Sequence, residues 1–211
     1  MLPQVEKVSR LERSQHARRE RIIEAVLQLA REGGYDAVQV RAVSDLSLVG
    51  TETIYRYYGS RDRMISAAVR HWLEHEFWEP AASWLRGDTP AERLLAINLE
   101  YARKLAGSLN MLETYTRATV AEGNAEDGLA RATLRYAMPL LHAALDGVPV
   151  DYRDDAIMIL FRVSDSALAA AGRGAIDVDE VESILERTVH RLAQHPAMQQ
   201  SRPAGWAYSP D

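Results

Sequence analysis

Between glycines and prolines that fall about every fifteen to twenty residues, the apolar residues of this chain recur at i, i+3 and i+4, and no stretch alternates convincingly. That spacing stacks helices and leaves no strand, so it predicts an all-α protein of about nine helices. The first runs from about Arg18 to Arg31, with Ile22, Ile23, Val26, Leu29 and Ala30 on one face and Gly33-Gly34 as its stop. A second, short helix spans Val40 to Ser47 and buries Val43 and Leu46. The third starts at Thr51, whose hydroxyl suits a cap, and ends by Gly59. Ser60 caps a fourth, which carries Asp62 in its first turn and continues through Met64, Ile65, Ala68 and Trp72 toward Trp78.

Beyond Pro80 the helices lengthen. Thr89, Pro90 and Glu92 form a start signal with a capping box, for a helix reaching about Ala106. A short segment around Asn110 to Thr119 follows, then a helix from about Glu126 to Leu145 with Pro139 inside it. Two more run from Tyr152 to Ala171 and from Val178 to Ala193, the second capped by Asp177 with Glu180. The tail from residue 196 to 211 has little periodicity and reads as mobile, with Trp206 and Tyr208 the residues able to tuck against a neighbour.

The 211 residues carry 47% apolar and 26% charged residues and no cysteine, the composition of a folded protein without disulfides or cysteine-ligated zinc. No apolar run reaches the ~18 residues of a membrane span, and the first residues lack the apolar core of a signal peptide. A cytoplasmic protein with no membrane partner is expected. The net charge of −5 is unevenly placed. Residues 1 to 70 hold twelve Lys/Arg against nine Asp/Glu, whereas residues 71 to 211 hold thirteen against twenty-one. The basic part is the N-terminal third.

Two short helices joined by a three-residue connection, with a helix before them and a capped one after, outline a helix-turn-helix. Its second helix must bury one face and offer the other to the major groove. In the stretch TETIYRYY, Ile54 and Tyr58 face the supporting helices, while Thr51, Thr53, Tyr55 and Tyr57 hold hydroxyls outward. Arg41, Arg56 and Arg61 flank that face, where they would bond the DNA backbone. Glu52 is anomalous there: it either accepts from cytosine N4 in the groove or turns away to pair with an arginine. The tyrosines by themselves also fit a small aromatic core with a solvated arginine rim; the order of the helices favours the DNA surface.

From RRERIIEAVLQLAREGGYDAVQVRAV through TIYRYYGSRDRM, residues 18 to 69 resemble the DNA-binding domain of the TetR family of bacterial transcriptional regulators. The resemblance implies that Arg41, Thr51, Thr53, Tyr55, Tyr57 and Arg61 face DNA. It departs at Leu48, where the family's turn usually has glycine, and at Glu52, where a small uncharged residue is usual. It implies an N-terminal arm (1 to 17), a three-helix DNA-binding domain (18 to 63) and a helical ligand-binding and dimerisation domain (64 to 195). The function implied is that of a repressor, a non-enzyme without cofactor, that binds a palindromic operator as a homodimer and is released by a small apolar effector. GGYDAVQVRAV and ETYTRATVAE also look like the branch that represses actinobacterial steroid catabolism, whose effectors are sterol-derived thioesters of coenzyme A. A helical ligand-binding or scaffold protein with a degenerate reading head is the alternative.

One recognition helix cannot span two half-sites about 34 Å apart, so a dimer is required. The resemblance implies that the last two long helices pair with their copies. Phe161, Ser164, Leu168 and Ala171 form one stripe there, with Val181, Ile184, Leu185, Thr188 and Leu192 the other. Leu105, Leu109, Met111, Leu112, Tyr115, Met138, Leu141, Leu145 and Met158 mark the region of an effector pocket, their flexible apolar side chains suiting a greasy ligand. His71 and His75, four apart, hold only half of a metal site, and no metal is assigned to them.

Overall fold

A computed structural model describes residues 10 to 78, 81 to 122 and 128 to 199. Ten α-helices, and no strand, occur among them: α1 (Arg10–Ala37), α2 (Val40–Ser47), α3 (Thr51–Tyr58), α4 (Arg61–Trp72), α5 (Pro90–Ala106), α6 (Leu109–Glu122), α7 (Leu129–Ala144), α8 (Val150–Gly172), α9 (Val178–Ala193) and α10 (Pro196–Gln199). A π-helical turn, Leu73–Phe77, prolongs α4, and a 3-10 turn, Ala81–Trp84, precedes α5.

The first four helices make a small head. Ile22 of α1, Val43 of α2, Ile54 of α3 and Met64 and Ile65 of α4 are fully buried there, the amphipathic stripes of four short helices closing on one another. α1 and α4 also lie against α6, and α4 touches α7, so the head shares one continuous apolar core with the rest. In the body α5 packs on α9, α9 on α8, and α8 on α6.

Local signals act as expected at three helix starts. Ser60 Oγ accepts from the Arg63 N–H, and Asp177 Oδ1 from the Glu180 N–H at 2.8 Å. Thr89 and Glu92 form a reciprocal capping box behind Pro90. Elsewhere the expectations need correction. α1 starts at Arg10, so residues 10 to 17, read as an arm, are helical. Gly33 and Gly34 do break the helical backbone, Gly34 at φ +69°, but one more turn follows to Ala37. Thr51 caps nothing; Gly50 is the N-cap of α3, without a side-chain bond. Leu46 is 43% exposed and Ser47 is buried in its place. The segment around Asn110 is a full helix of 14 residues. Residues 196 to 199 form α10, with Ala197 and Met198 buried, whereas 1 to 9, Glu126, Trp206 and Tyr208 lie outside the described residues.

The turn between α2 and α3 sets Leu48 in the left-handed region, φ +57° and ψ +33°, with its side chain 84% exposed. A leucine there gains no burial to offset a left-handed backbone, which costs ~1–2 kcal/mol for a residue with a Cβ. Glycine would remove that cost and add back ~0.4–1 kcal/mol of unfolded-chain entropy. Leu48→Gly is therefore expected to stabilise the protein by about 0.5–1 kcal/mol. The check is the urea midpoint at fixed protein concentration; an unchanged or lower midpoint contradicts this account of the turn.

The head is fastened to the body around Tyr35, at the end of α1. Two guanidiniums approach its ring, Arg61 Cζ at 4.6 Å and Arg117 Cζ at 4.3 Å from the centroid. Its hydroxyl donates to Asp62 Oδ1 at 2.6 Å. Burial, followed by the bond and charge of Asp62, pushes the Tyr35 phenol up to about 12. A phenol held above its unfolded value near 10 adds stability that is complete below pH 10 and is lost as pH rises through 12. Tyr35→Phe should lower stability by ~1 kcal/mol at neutral pH and soften the alkaline loss between pH 10 and 12. Denaturant midpoints of both proteins across that window test it; parallel curves would assign the loss to other tyrosines.

Candidate nucleic-acid interface and effector cavity

Helix α3 has eight residues, so its faces separate cleanly. Thr51, Glu52, Tyr55 and Arg56, spaced i, i+1, i+4 and i+5, are all exposed, Tyr55 by 52%. Ile54 is buried opposite them. Tyr58, expected to face the supporting helices, packs there: its hydroxyl is buried without a partner among the described residues, and burial raises the phenol pKa. Thr53 and Tyr57, expected outward, are half-buried at the flank. Arg19 of α1 lies 5.1 Å from the Tyr57 centroid and Arg56 lies 5.9 Å from it. Arg19 is thus a cation at this surface that the sequence reading passed over, since nothing in α1 alone shows which of its arginines meets α3.

Arg41, in the first turn of α2, is exposed beside this face. Exposed Arg13, Arg18, Arg19, Arg56 and Arg63 accompany it, so the head offers planar, permanently charged donors suited to phosphate. Arg61 corrects the expectation. Its Nε donates to the Val38 carbonyl at 2.6 Å, its Nη2 to the Tyr35 carbonyl, and its Nη1 lies 3.6 Å from Asp62 Oδ1. The chain turn after Gly34 exposes those carbonyls, and the guanidinium is taken up in holding them. Glu52 is exposed and has no ion pair or hydrogen bond among the described residues, which removes the pairing reading. An unpaired carboxylate at the helix N-terminus keeps the favourable dipole and the freedom to accept from a base.

The body holds a narrow, partly open cavity. Trp78, just past the π turn, Asn98 and Tyr101 of α5, Thr133 and Ala137 of α7, and Phe161 and Ser164 of α8 are among its walls, which among the described residues hold no charged side chain. Of the nine residues marked for a pocket only Leu141 lines it. Leu105, Met111, Leu112, Tyr115 and Leu145 are core residues of the same bundle, Met138 is half-buried, and Leu109 and Met158 face outward. Tyr115 is nonetheless one layer behind the wall. Its hydroxyl accepts from Tyr101 at 3.4 Å and bonds Thr133 Oγ1 at 3.1 Å, and burial keeps both phenols neutral by raising their pKa.

The stripe assigned to subunit pairing is largely internal. Ser164, Leu168 and Ala171 of α8 and Val181 and Leu185 of α9 are buried within one protomer, because these two helices pack on each other and on α5 and α6. Phe161 and Ser164 line the cavity. Ile184, Thr188 and Leu192 are half-buried, and the Leu192 carbonyl accepts from the Tyr152 hydroxyl at 2.6 Å.

Helix α6 links cavity and head. Tyr115 reaches the cavity wall, while Asn110 Nδ2 donates to the Arg31 carbonyl at 2.9 Å. Arg117 pairs with both Asp36 oxygens, at 2.7 and 3.0 Å, and with Glu113 at 2.9 Å. The bond to Arg117 holds Asp36 below the usual carboxylate range.

Residues 22–68 match the model of bacterial regulatory proteins of the tetR family, and residues 87–192 match the tetracyclin repressor-like C-terminal domain. The HTH-type transcriptional repressor KstR of Mycolicibacterium smegmatis is 31% identical over 139 residues, which are 65% of this chain and 68% of that protein. KstR of Mycobacterium tuberculosis is 34% identical over 107 residues, 51% of this chain and 49% of that one. KstR of Rhodococcus jostii is 35% identical over 105 residues, again about half of each chain (50% and 49%). A crystal structure of a TetR transcriptional regulator from Rhodococcus sp. RHA1 shares the fold, with a TM-score of 0.65 at 21% identity over 87% of this chain and 99% of that one.

Proposed function

The chain belongs to the TetR family of bacterial regulatory proteins, and from that premise we propose that it is a cytoplasmic repressor that binds a roughly palindromic operator as a homodimer and leaves it when a small apolar effector, of steroid or acyl-CoA type, enters the cavity. Residues 18 to 63 serve as the reading head and 64 to 195 as the effector and pairing domain. The observation that carries this is the double attachment of α6, to the cavity wall through Tyr115 and to the head through Asn110 and Arg117. A ligand that pushes Tyr101 or Thr133 aside moves α6, and α6 cannot shift without pulling the end of α1.

Release is then a population shift. The effector prefers a body in which the two recognition helices sit at a spacing that DNA does not match, so ligand and operator weaken each other by the same factor. The outer faces of α8 and α9, with Met158 and Ile159 exposed and Ile184 and Thr188 half-covered, pair the protomers. On α3, Thr51 and Tyr55 offer hydroxyls to bases and phosphates, Arg41 and Arg56 bind the backbone with Thr53 and Tyr57 beside them, and Glu52 accepts from a cytosine.

Two measurements test the reading. Titration of the full protein onto the DNA upstream of its gene, with excess competitor and at two salt concentrations, should give saturable binding that weakens steeply with salt. Arg56→Ala should reduce the slope of log affinity against log salt by about one per protomer. Affinity that is negligible at every salt concentration, on this DNA and in a random-sequence selection, would instead fit a scaffold with an inactive head. In that selection, wild type and Glu52→Gly should differ at one half-site position, with a cytosine preference of ~1–3 kcal/mol lost in the variant. Identical preferred sequences would refute the role given to Glu52.

A further inference from the structure

The cavity walls hold few polar atoms, and all but one of these have partners within the protein. Asn98 Nδ2 donates to the Leu94 carbonyl at 2.8 Å, and its Oδ1 accepts from Ser164 Oγ at 3.4 Å. Tyr101 donates to Tyr115, and Tyr115 shares a bond with Thr133 Oγ1. The exception is Trp78. Its side chain lines the cavity, the residue is 8% exposed, and Nε1 is buried with no acceptor among the described residues. The ring is wedged against Tyr101 in a stacked arrangement, centroids 5.7 Å apart, and against Trp84 at 5.3 Å. The indole has little room to turn its N–H toward another partner.

A buried N–H without an acceptor is costly, and an acceptor brought in by a ligand removes that cost. The missing partner must be an acceptor, because the indole nitrogen only donates. No charged residue lines the cavity among the described residues, which adds a second condition, since an ionised carboxylate entering these walls would lose its hydration and gain no counter-charge. We infer that the part of the effector lodged in the cavity is uncharged and largely apolar, bears a carbonyl or other hydrogen-bond acceptor that takes the Trp78 N–H, and is rejected as the corresponding anion. This rests on the reading of the cavity as the effector site. The cavity volume is only about 30 Å³, so binding also requires the walls to part.

The test uses the full-length protein and three rigid probes: progesterone, which is neutral, 3-oxo-4-androstene-17β-carboxylate, in which a carboxylate replaces the acetyl group, and the methyl ester of that acid. Binding is followed by calorimetry and, separately, by release from operator DNA. Progesterone and the ester should bind, and the carboxylate should bind weaker by on the order of a hundredfold. Trp78→Phe keeps an aromatic ring in place and removes the donor. It should weaken progesterone about tenfold. Equal binding of acid and ester, equal binding by wild type and Trp78→Phe, or no progesterone binding at all would each overturn the inference. Ala137→Leu, which fills the cavity, should abolish binding; undiminished binding there places the ligand elsewhere and also overturns it. Progesterone that binds with the expected pattern but leaves operator affinity unchanged would sink the repressor mechanism and leave the acceptor site standing.

Discussion

A ring approached by two cations is stable only where anions close the circuit, and that condition organises the junction of head and body. Arg61 and Arg117 both approach the Tyr35 ring, drawn to it and repelled by each other. Asp62 answers the first, and Asp36 with Glu113 the second. These carboxylates come from the start of α4, the end of α1 and the middle of α6, so the charge balance closes only when all three helices are in place. Each exposed pair contributes little by itself. As a set they specify one relative position of head and body, and a DNA-binding head needs position more than it needs stability.

The close approach of α6 follows from the same corner. A Cβ at Gly34 would lie 2.3 Å from Glu113 Oε2, and its φ of +69° is one that few side chains adopt. Glycine is needed there for the left-handed turn that offers the Tyr35 and Val38 carbonyls to Arg61, and it leaves room beside which the Glu113 carboxylate lies. The glycine pair read in the sequence as a helix stop is also the place where a second helix docks.

What was legible in the sequence is what depends on neighbours in the chain. The bounds of α2 and α9, the cap residues Ser60, Thr89 and Asp177, and the inward side of α3 at Ile54 follow from local spacing and turn chemistry. What failed depended on partners far away. A stripe such as Ser164, Leu168 and Ala171 shows that one face of a helix is apolar, but not whether a neighbouring helix or a second protomer covers it. Arg61 looked like a phosphate ligand because nothing in its own helix shows the carbonyls waiting 23 and 26 residues earlier. The cavity was missed because its walls come from three helices and one irregular turn, with Asn98 and Ser164, polar residues on apolar faces, the only hint that a space lay between them.

The irregular turn has a consequence for how this stretch of chain tolerates change. In an unbroken α-helix each residue advances by about 100°. Counted on from buried Ile65, Val69 and Trp72, that phase would bring Glu76 to the inner side and turn Trp78 out to water. The π-helical turn Leu73–Phe77 widens the winding and retards the phase, so Phe77 and Trp78 come inside while Glu76 stays outside, 2.7 Å from Arg31. Five residues thus re-time the helix, as a leap day re-times a calendar. The same residues wound as a plain α-helix would exchange an indole for a carboxylate in the wall of the cavity, so the added residue of the π turn is what keeps Glu76 in water.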